Sequence, residues 1–302
     1  MHRVRVVRHA SERGGWEMAL ATPPPALAPL VRDYCGYREA MPQPMRRQEL
    51  PGVQVVLILE FGPLLKHLDD AGRVMRHRSG FVAGLDERWS TTEHGGVSHG
   101  LQVNLTPLGA RSVFGVPMHE LSHRVTGLED LWGAEARRLV EQLEEAPDWE
   151  TRFARADAFL LQRVERGPKV EAGVRWAVER IQRTGGQVDI ATLAGELGHS
   201  HKHLIHQFHE QVGLPPKRLA RLLRFDRAVE RIKAGGPVRW AEFALEMGYF
   251  DQAHLNRDFR QFTGGPPSAL LRRSLPDAGG FESGSQVKSV QEAPEGDGQD
   301  AR

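Results

Sequence analysis

The chain has 302 residues, of which 40 are Lys or Arg and 39 are Asp or Glu, giving a formal net charge of +1. That length is enough for two domains, and the net charge alone does not identify a polyanionic partner. The single cysteine, Cys35, excludes an intramolecular disulfide and a cysteine-rich metal site. With neither a secretory signal nor an apolar run long enough to span a bilayer, a cytoplasmic location is expected.

The first half of the chain combines strand-like and helix-like patterns. Residues 1–20 are expected to be weakly ordered, and a short helix is expected over 27–31. Apolar runs bounded by turn residues predict strands at 53–59, 81–85 and 101–105. Apolar positions at helical spacing predict helices at 135–143 and 149–166. Residues 1–167 are therefore predicted to form a mixed β-sheet or barrel domain with helices, the first part of an α+β protein.

His119, Glu120 and His123 fit the spacing H-E-x-x-H. On a helix this spacing places two imidazoles on one face to hold zinc, with the glutamate as general base. The context is unfavourable, because Pro117 before it and Gly127 after it leave room for only about two helical turns. A solvated turn or short helix is the favoured interpretation, a zinc metallohydrolase is an alternative, and we assign no catalytic residue, metal or cofactor.

Two stretches in the second half repeat one pattern. Each has a short helical segment, a glycine free to adopt φ > 0, a second helical segment and a closing glycine with prolines. With one residue inserted in the later turn, the matching pairs are Ala194 and Ala244, Leu197 and Met247, Gly198 and Gly248, His203 and His254, Leu204 and Leu255, Phe208 and Phe259, and Gly213 and Gly264. Each copy predicts a helix-turn-helix, with Asp251 capping the later second helix and a connecting helix over 218–233.

These residues resemble the DNA-binding domain of the AraC/XylS family of bacterial transcriptional regulators. The most specific pattern lies over 244–267: a small residue and glycine, an aromatic, Asp-Gln, His-Leu-x-Arg-x-Phe-Arg and a closing Thr-Gly-x-x-Pro. The resemblance covers about a third of the chain, from 173 to 273, and implies an all-α double helix-turn-helix over 172–275. Two positions depart from the family pattern, because His206 stands where the family usually has arginine and Ile205 replaces a commonly polar residue.

The resemblance implies that the second helix of each unit enters a major groove. Base contacts are expected from Lys202, His203, Ile205, His206, Gln252, Ala253, Asn256 and Arg257. Phosphate contacts are expected from Arg218, Arg221 and Arg260. Residues 172–275 contain 16 Lys or Arg and 10 Asp or Glu, and this excess of positive charge suits a phosphate backbone.

The histidines from His199 to His209 include pairs at i,i+3 and i,i+4 spacing, which also suits a metal site. DNA contact is the favoured interpretation, because the run lies in a predicted recognition helix. Residues 276–302 have few apolar side chains and predict a disordered acidic tail.

The sequence as a whole predicts a transcriptional regulator that binds double-stranded DNA. From the resemblance, residues 1–167 are expected to be a sensing or assembly domain with a small-molecule effector. RNA polymerase and a second copy of the chain are further candidate partners, and no membrane partner is expected. A helical adaptor that uses the two C-terminal units to bind a protein is the other alternative to the metallohydrolase.

Overall fold

The structure, a computed structural model, describes residues 4–11, 14–63, 65–68, 74–272 and 281–282. The strands are β1 (Arg5–Ser11), β2 (Gly14–Ala21), β3 (Val31–Ala40), β4 (Met45–Glu49), β5 (Val55–Glu60), β6 (Lys66–Leu68), β7 (Val74–Arg76), β8 (Phe81–Ala83), β9 (Ser90–His94), β10 (Val97–Leu105), β11 (Val125–Gly127) and β12 (Phe281–Glu282). The helices are α1 (Pro107–Phe114), α2 (Leu128–Trp132), α3 (Ala134–Glu144), α4 (Trp149–Arg166), α5 (Ala172–Arg183), α6 (Ile190–Glu196), α7 (His201–Gln211), α8 (Pro216–Lys233), α9 (Trp240–Glu246), α10 (Gln252–Thr263) and α11 (Pro267–Arg272). Within these ranges, no helix is both long and apolar enough to cross a membrane.

The strands form two antiparallel sheets. The larger has the order β1-β2-β3-β10-β5-β8-β11, and the smaller has the order β12-β4-β9-β6-β7. The two sheets form open layers, and the prediction of a β domain with helices, followed by helix-turn-helix units, is confirmed.

Successive side chains of β10 point to opposite faces of the larger sheet, and both faces are covered by other elements. Leu101, Val103 and Leu105 are fully buried in the core that includes α1 and α4. Ser98 and Gln102 point to the opposite face, where they line a cavity. On the helix-covered face, the Tyr34 hydroxyl donates a hydrogen bond to Asp157 of α4 at 2.6 Å. The sheet is thus held by helices on one side and by the smaller sheet on the other.

Two N-terminal expectations were wrong. Residues expected to be weakly ordered contain β1 and β2, which pair with each other, and β2 also pairs with β3. The helix expected at 27–31 is replaced by two successive turns, in which Pro24 O accepts hydrogen bonds from Leu27 N and Ala28 N, and Leu27 O accepts them from Leu30 N and Val31 N. The chain then enters β3 at Val31, because that residue pairs with Leu105 of β10.

The other predicted elements are present with modest shifts in their ends. Strands β5, β8 and β10 overlap the three predicted ones, α3 and α4 match the predicted helices, and α8 is the connecting helix. The predicted disordered tail lies outside the described residues except for Phe281–Glu282, which pair with Gln48 and Arg47 of β4.

The aromatic side chains of α8 and α10 hold the C-terminal helices together. Phe225 of α8 lies 5.0 Å from Phe259 and 4.6 Å from Phe262 of α10, measured between ring centroids. These rings belong to the same continuous apolar core as the β domain. The helical region therefore packs directly against the sheets.

Glu60, at the end of β5, is a buried carboxyl group with incomplete hydrogen bonding. It is 3% exposed, and its Oε2 accepts a hydrogen bond from Leu65 N at 3.0 Å. Its Oε1 has no hydrogen-bond partner among the described residues. Burial raises the pKa of Glu60 to about 7, against the opposing effect of the Leu65 bond.

This pKa predicts a loss of stability as pH rises. The folded state holds the Glu60 proton more tightly than the unfolded state, where the pKa is about 4.3. The contribution is therefore fully present below about pH 4.3 and is lost as pH rises through about 7. At pH 8 we expect Glu60→Gln to raise the free energy of unfolding by up to about 3 kcal/mol relative to wild type. Denaturant titrations of both proteins from pH 5 to 8 measure this difference, and a constant difference contradicts the assignment.

Candidate nucleic-acid interface and the cavity between the sheets

Helices α7 and α10 begin in the same way. The Ser200 side chain accepts a hydrogen bond from His203 N at 3.2 Å, and the Asp251 side chain accepts one from His254 N at 2.6 Å. The preceding turns require positive φ, which is 66° at Gly198 and 83° at Gly248. The predicted Asp251 cap and the predicted role of the turn glycine are both confirmed.

Each unit buries one face of its second helix and leaves the other accessible. Leu204 and Phe208 of α7, and Leu255 and Phe259 of α10, are buried. Six of the predicted base-contacting residues are exposed: Lys202, His203, His206, Gln252, Ala253 and Arg257. The other two, Ile205 and Asn256, are half-buried. The arrangement leaves polar side chains accessible on the first turns of both helices.

The two equivalent histidines have different surroundings. His254 is half-buried and its ring lies 5.2 Å from that of Tyr249. His203 is exposed, and its ring lies 4.5 Å from that of His199. A structural role therefore fits His254 better than His203. The described residues contain no group of three or more His, Cys, Asp or Glu side chains placed to hold a metal.

The three predicted phosphate-contacting arginines differ in their contacts. Arg260 is exposed on α10. Arg218 of α8 lies 3.2 Å from Glu87, the residue between Asp86 and Arg88 in the segment joining β8 to β9. Arg221 lies 3.4 Å from Glu87 and 2.7 Å from Asp258. A phosphate contact by Arg221 therefore requires this network to open.

Arg221 is held by further contacts inside the helical region. Its Nη2 donates to Gln261 Oε1 at 2.7 Å, and its guanidinium lies 4.7 Å from the ring centroid of Phe262. Arg221 thus stabilises the packing of α8 on α10 in this conformation.

The β domain contacts the C-terminal ends of both α7 and α10. A Cβ atom at Gly213, where φ is 93°, would collide with Ser122 Oγ. A Cβ at the equivalent Gly264, where φ is 75°, would lie 3.2 Å from Trp89 Nε1. Gln48 Nε2 of β4 also donates a hydrogen bond to Thr263 O at 2.9 Å. The β domain therefore holds the helix ends opposite to those that carry the predicted base contacts.

The H-E-x-x-H residues do not form a zinc-site helix. His119 and Glu120 belong to a three-residue 3-10 turn, and His123 has φ of 59°. His119 Nδ1 lies 3.2 Å from Glu210 of α7, whereas His123 Nδ1 lies 3.0 Å from Asp86. The two imidazoles have separate partners, which fits the turn interpretation.

A cavity of about 680 Å³ lies between the inner faces of the two sheets. Its apolar wall includes Met18, Val56, Ile58, Leu68, Met75 and Phe81. Its polar floor has an ion pair, in which Arg47 Nη2 of β4 lies 2.8 Å from Glu39 Oε1 of β3. His94 Nε2 of β9 lies 3.0 Å from Glu39 Oε2.

Glu39 is ionised despite its depth. Burial opposes ionisation, but His94 and Arg47 together outweigh it and keep the pKa of Glu39 below its usual value. The floor of the cavity is therefore a charge-balanced pair with a histidine beside it.

The segment joining β8 to β9 connects the cavity with α8. Asp86, Arg88 and Trp89 line the cavity. Glu87, between them, pairs with Arg218 and Arg221. One short segment thus touches both the cavity and two predicted phosphate-contacting cations, a link that the sequence analysis missed.

Two sequence families match parts of this chain. Residues 193–273 match a family described as a helix-turn-helix domain, and residues 20–126 match one described as a domain of unknown function (DUF6597). The first match covers both repeated units. The chain is a DNA-binding transcriptional regulator with a double helix-turn-helix. This match agrees with the resemblance to the AraC/XylS family that the sequence pattern indicated.

Solved structures resemble the chain at low sequence identity. ToxT from Vibrio cholerae is 12% identical with a TM-score of 0.46, covering 79% of this chain and 97% of that one. The C-terminal domain of AraT, a response regulator from Geobacillus stearothermophilus, is 20% identical with a TM-score of 0.34, covering 40% and 98%. The AraC-like transcriptional activator CuxR is 15% identical with a TM-score of 0.28, covering 77% and 86%. No curated protein matches the chain.

The contact at Gly213 predicts unequal effects of two glycine substitutions. Gly198→Ala places a side chain at positive φ with no described atom within 4 Å, so we expect a loss of about 1–2 kcal/mol from backbone strain alone. Gly213→Ala adds a collision with Ser122 Oγ to the same kind of strain and should cost clearly more. Urea unfolding of the two variants measures the difference, and equal losses would show that the β domain does not contact this helix end.

Proposed function

We propose that the protein binds bacterial promoters sequence-specifically, with α7 and α10 entering successive major grooves. The observation that carries this proposal is the repeated unit, in which a capped helix follows a glycine turn and exposes the polar side chains of its first turn. Recognition helices of this kind contact base edges through N-terminal residues. The preferred site then has two halves about one helical turn apart, roughly 10–10.5 base pairs.

Within this proposal, Gln252 of α10 and Lys202 of α7 read base edges from the first turn, and Arg257 and His206 do so from the second turn. Arginine and glutamine form bidentate pairs with purines, which gives each of them a preference for particular bases. Arg260, exposed near the end of α10, contacts phosphate and contributes affinity without preference. Contact with RNA polymerase and self-association remain further proposals for the same protein.

Substitutions in α10 should separate readout from general attraction. We expect Arg257→Ala and Gln252→Ala each to weaken binding to the preferred site by about 1–3 kcal/mol, because a bidentate pair with a base is lost. Lys202→Ala should weaken contact in the neighbouring groove. Arg166→Ala, an exposed arginine of α4, is the matched control for loss of one positive charge.

The measurement is a titration of preferred and random duplexes at one salt concentration. Variants that have lost a base-reading side chain should bind the preferred duplex more weakly and keep most of their affinity for the random duplex. If Arg257→Ala and Lys202→Ala keep the wild-type ratio between the two duplexes, these helices do not read the sequence.

We further propose that a small-molecule effector occupies the cavity between the sheets and modulates DNA binding. Its volume of about 680 Å³ lies within the usual range for ligand sites. The segment containing Glu87 supplies the connection, since a ligand that displaces Asp86, Arg88 or Trp89 changes how firmly Glu87 holds Arg218 and Arg221. The effector then shifts the protein between conformations that differ in DNA affinity.

Removing the charge of Glu87 should have the same effect as breaking its ion pairs with Arg218 and Arg221. We expect Glu87→Gln to tighten DNA binding roughly two- to tenfold in effector-free protein, because phosphates no longer compete with a carboxylate for Arg218 and Arg221. Glu120→Gln, an exposed site in the β domain, controls for the loss of one negative charge. Fluorescence anisotropy with labelled duplex measures both variants, and equal changes in the two count against the proposed connection.

A further inference from the structure

The floor of the cavity contains polar atoms with unused hydrogen-bonding capacity. Tyr37 Oη, Arg47 Nε, Glu39 Oε2 and both ring nitrogens of His94 are buried and have no hydrogen-bond partner in the described part of the chain. These four residues line the cavity, and His94 is 3% exposed. Buried polar groups are usually satisfied, so these atoms are candidates for hydrogen bonds with a bound molecule.

The chemistry of each atom can be assigned from its neighbours. Arg47 Nε only donates, and burial, the largest effect on Tyr37, keeps its pKa well above the usual value, so the phenol retains its proton to donate. His94 Nε2 lies 3.0 Å from Glu39 Oε2, so this carboxylate favours the tautomer with its proton on Nε2. With the proton on Nε2, the lone pair of Nδ1 is an acceptor.

Room for the Tyr37 hydroxyl is provided by Gly100 of β10. The two residues are direct neighbours across β3 and β10, and a Cβ at Gly100 would collide with Tyr37 Oη. Any side chain at this position would therefore displace the hydroxyl. The absence of a side chain at Gly100 leaves the space that this hydroxyl occupies.

The charged side chains that line the cavity balance in number. The acids are Glu39, Glu49 and Asp86 and the cations are Arg47, Arg88 and Arg124; Glu49, Arg88 and Arg124 of these are exposed. Each of these acids has a partner: Glu39 pairs with Arg47 at 2.8 Å, Glu49 accepts from Thr92 Oγ1 at 2.7 Å, and Asp86 lies 3.0 Å from His123. A charged ligand group on the floor would bring an uncompensated charge into a balanced site, which is unfavourable.

The apolar wall complements this polar floor. Val56 and Ile58 of β5 line the cavity beside Phe81 of β8, and Met18 of β2 and Met75 of β7 also line it. These side chains favour a ligand whose body is apolar, because its burial removes apolar surface from water.

We propose that the cavity binds a neutral molecule with an apolar body and one hydroxyl or primary amide group. That group accepts hydrogen bonds from Arg47 Nε and Tyr37 Oη and donates one to His94 Nδ1. A hydroxyl or a primary amide supplies both functions without charge, whereas a carboxylate cannot donate and an ammonium cannot accept. This assignment rests on the proposal that the cavity holds the effector.

Four probes with the same phenylbutyl body test the head group: 4-phenylbutan-1-ol, 4-phenylbutanamide, 4-phenylbutanoate and 4-phenylbutylammonium. Calorimetric titration of the full chain without DNA should give saturable binding of the alcohol and the amide. The two ions should bind at least about tenfold more weakly, because each leaves a floor atom unsatisfied and adds a charge. Equal or tighter binding of either ion, or no saturable binding of any probe, overturns the proposal.

Two tyrosines on β3 give a matched pair of variants. Tyr37→Phe removes an unpartnered hydroxyl, so it should leave Tm nearly unchanged and weaken binding of the alcohol roughly two- to tenfold. Tyr34→Phe removes the hydroxyl that bonds Asp157 on the opposite face, so it should lower Tm and leave binding of the alcohol unchanged. If both variants weaken binding of the alcohol equally, or if neither weakens it, the proposed role of Tyr37 on the cavity floor is wrong.

The same probes distinguish the proposed class of ligand from the proposal that a ligand in the cavity controls DNA binding. DNA affinity is measured with saturating 4-phenylbutan-1-ol. Binding of the alcohol without any change in DNA affinity supports the ligand class and contradicts the proposed effector function. A change in DNA affinity produced by the carboxylate alone supports effector control and overturns the ligand class.

Discussion

The fold depends on the larger sheet being covered on both faces, by helices on one and by the smaller sheet on the other. Along β10 and β5, one set of alternating residues is buried with the helices, and the other set faces the smaller sheet. Because the second set includes Ser98, Gln102 and Gly100 as well as apolar residues, the space between the sheets is not filled by the chain's own side chains. The same alternation that stabilises the helix-covered core therefore creates the cavity.

Elements with local signals could be predicted from the sequence. Helix α4 has uninterrupted helical spacing, and Asp251 and Gly248 define the start of α10 through requirements of a single turn. The repeat then extended this assignment to the first unit. The base contacts of Lys202 and Arg257 remain predictions, since burial and capping show which side chains are accessible but not which bases they meet.

Features that depend on distant residues could not be predicted. The β1–β2 hairpin pairs with β3, and the periodicity of residues 1–20 does not identify that partner. The contact between Glu87 and Arg221 joins residues 134 positions apart. Arg221 was expected to contact phosphate, and only the packing of α8 against the β8–β9 segment and against α10 gives it carboxylate partners.

Under the proposed effector function, the position of Glu87 would also make promoter binding a regulator of the cavity. Phosphates that draw Arg218 and Arg221 away from Glu87 leave the adjacent cavity residues, Asp86 and Arg88, on a segment with fewer restraints. Thermodynamic linkage requires the factor by which a ligand changes DNA affinity to equal the factor by which DNA changes ligand affinity. Protein on its operator and protein free in solution would then respond to different ligand concentrations, so a cell with few operators would contain two populations with distinct sensitivities.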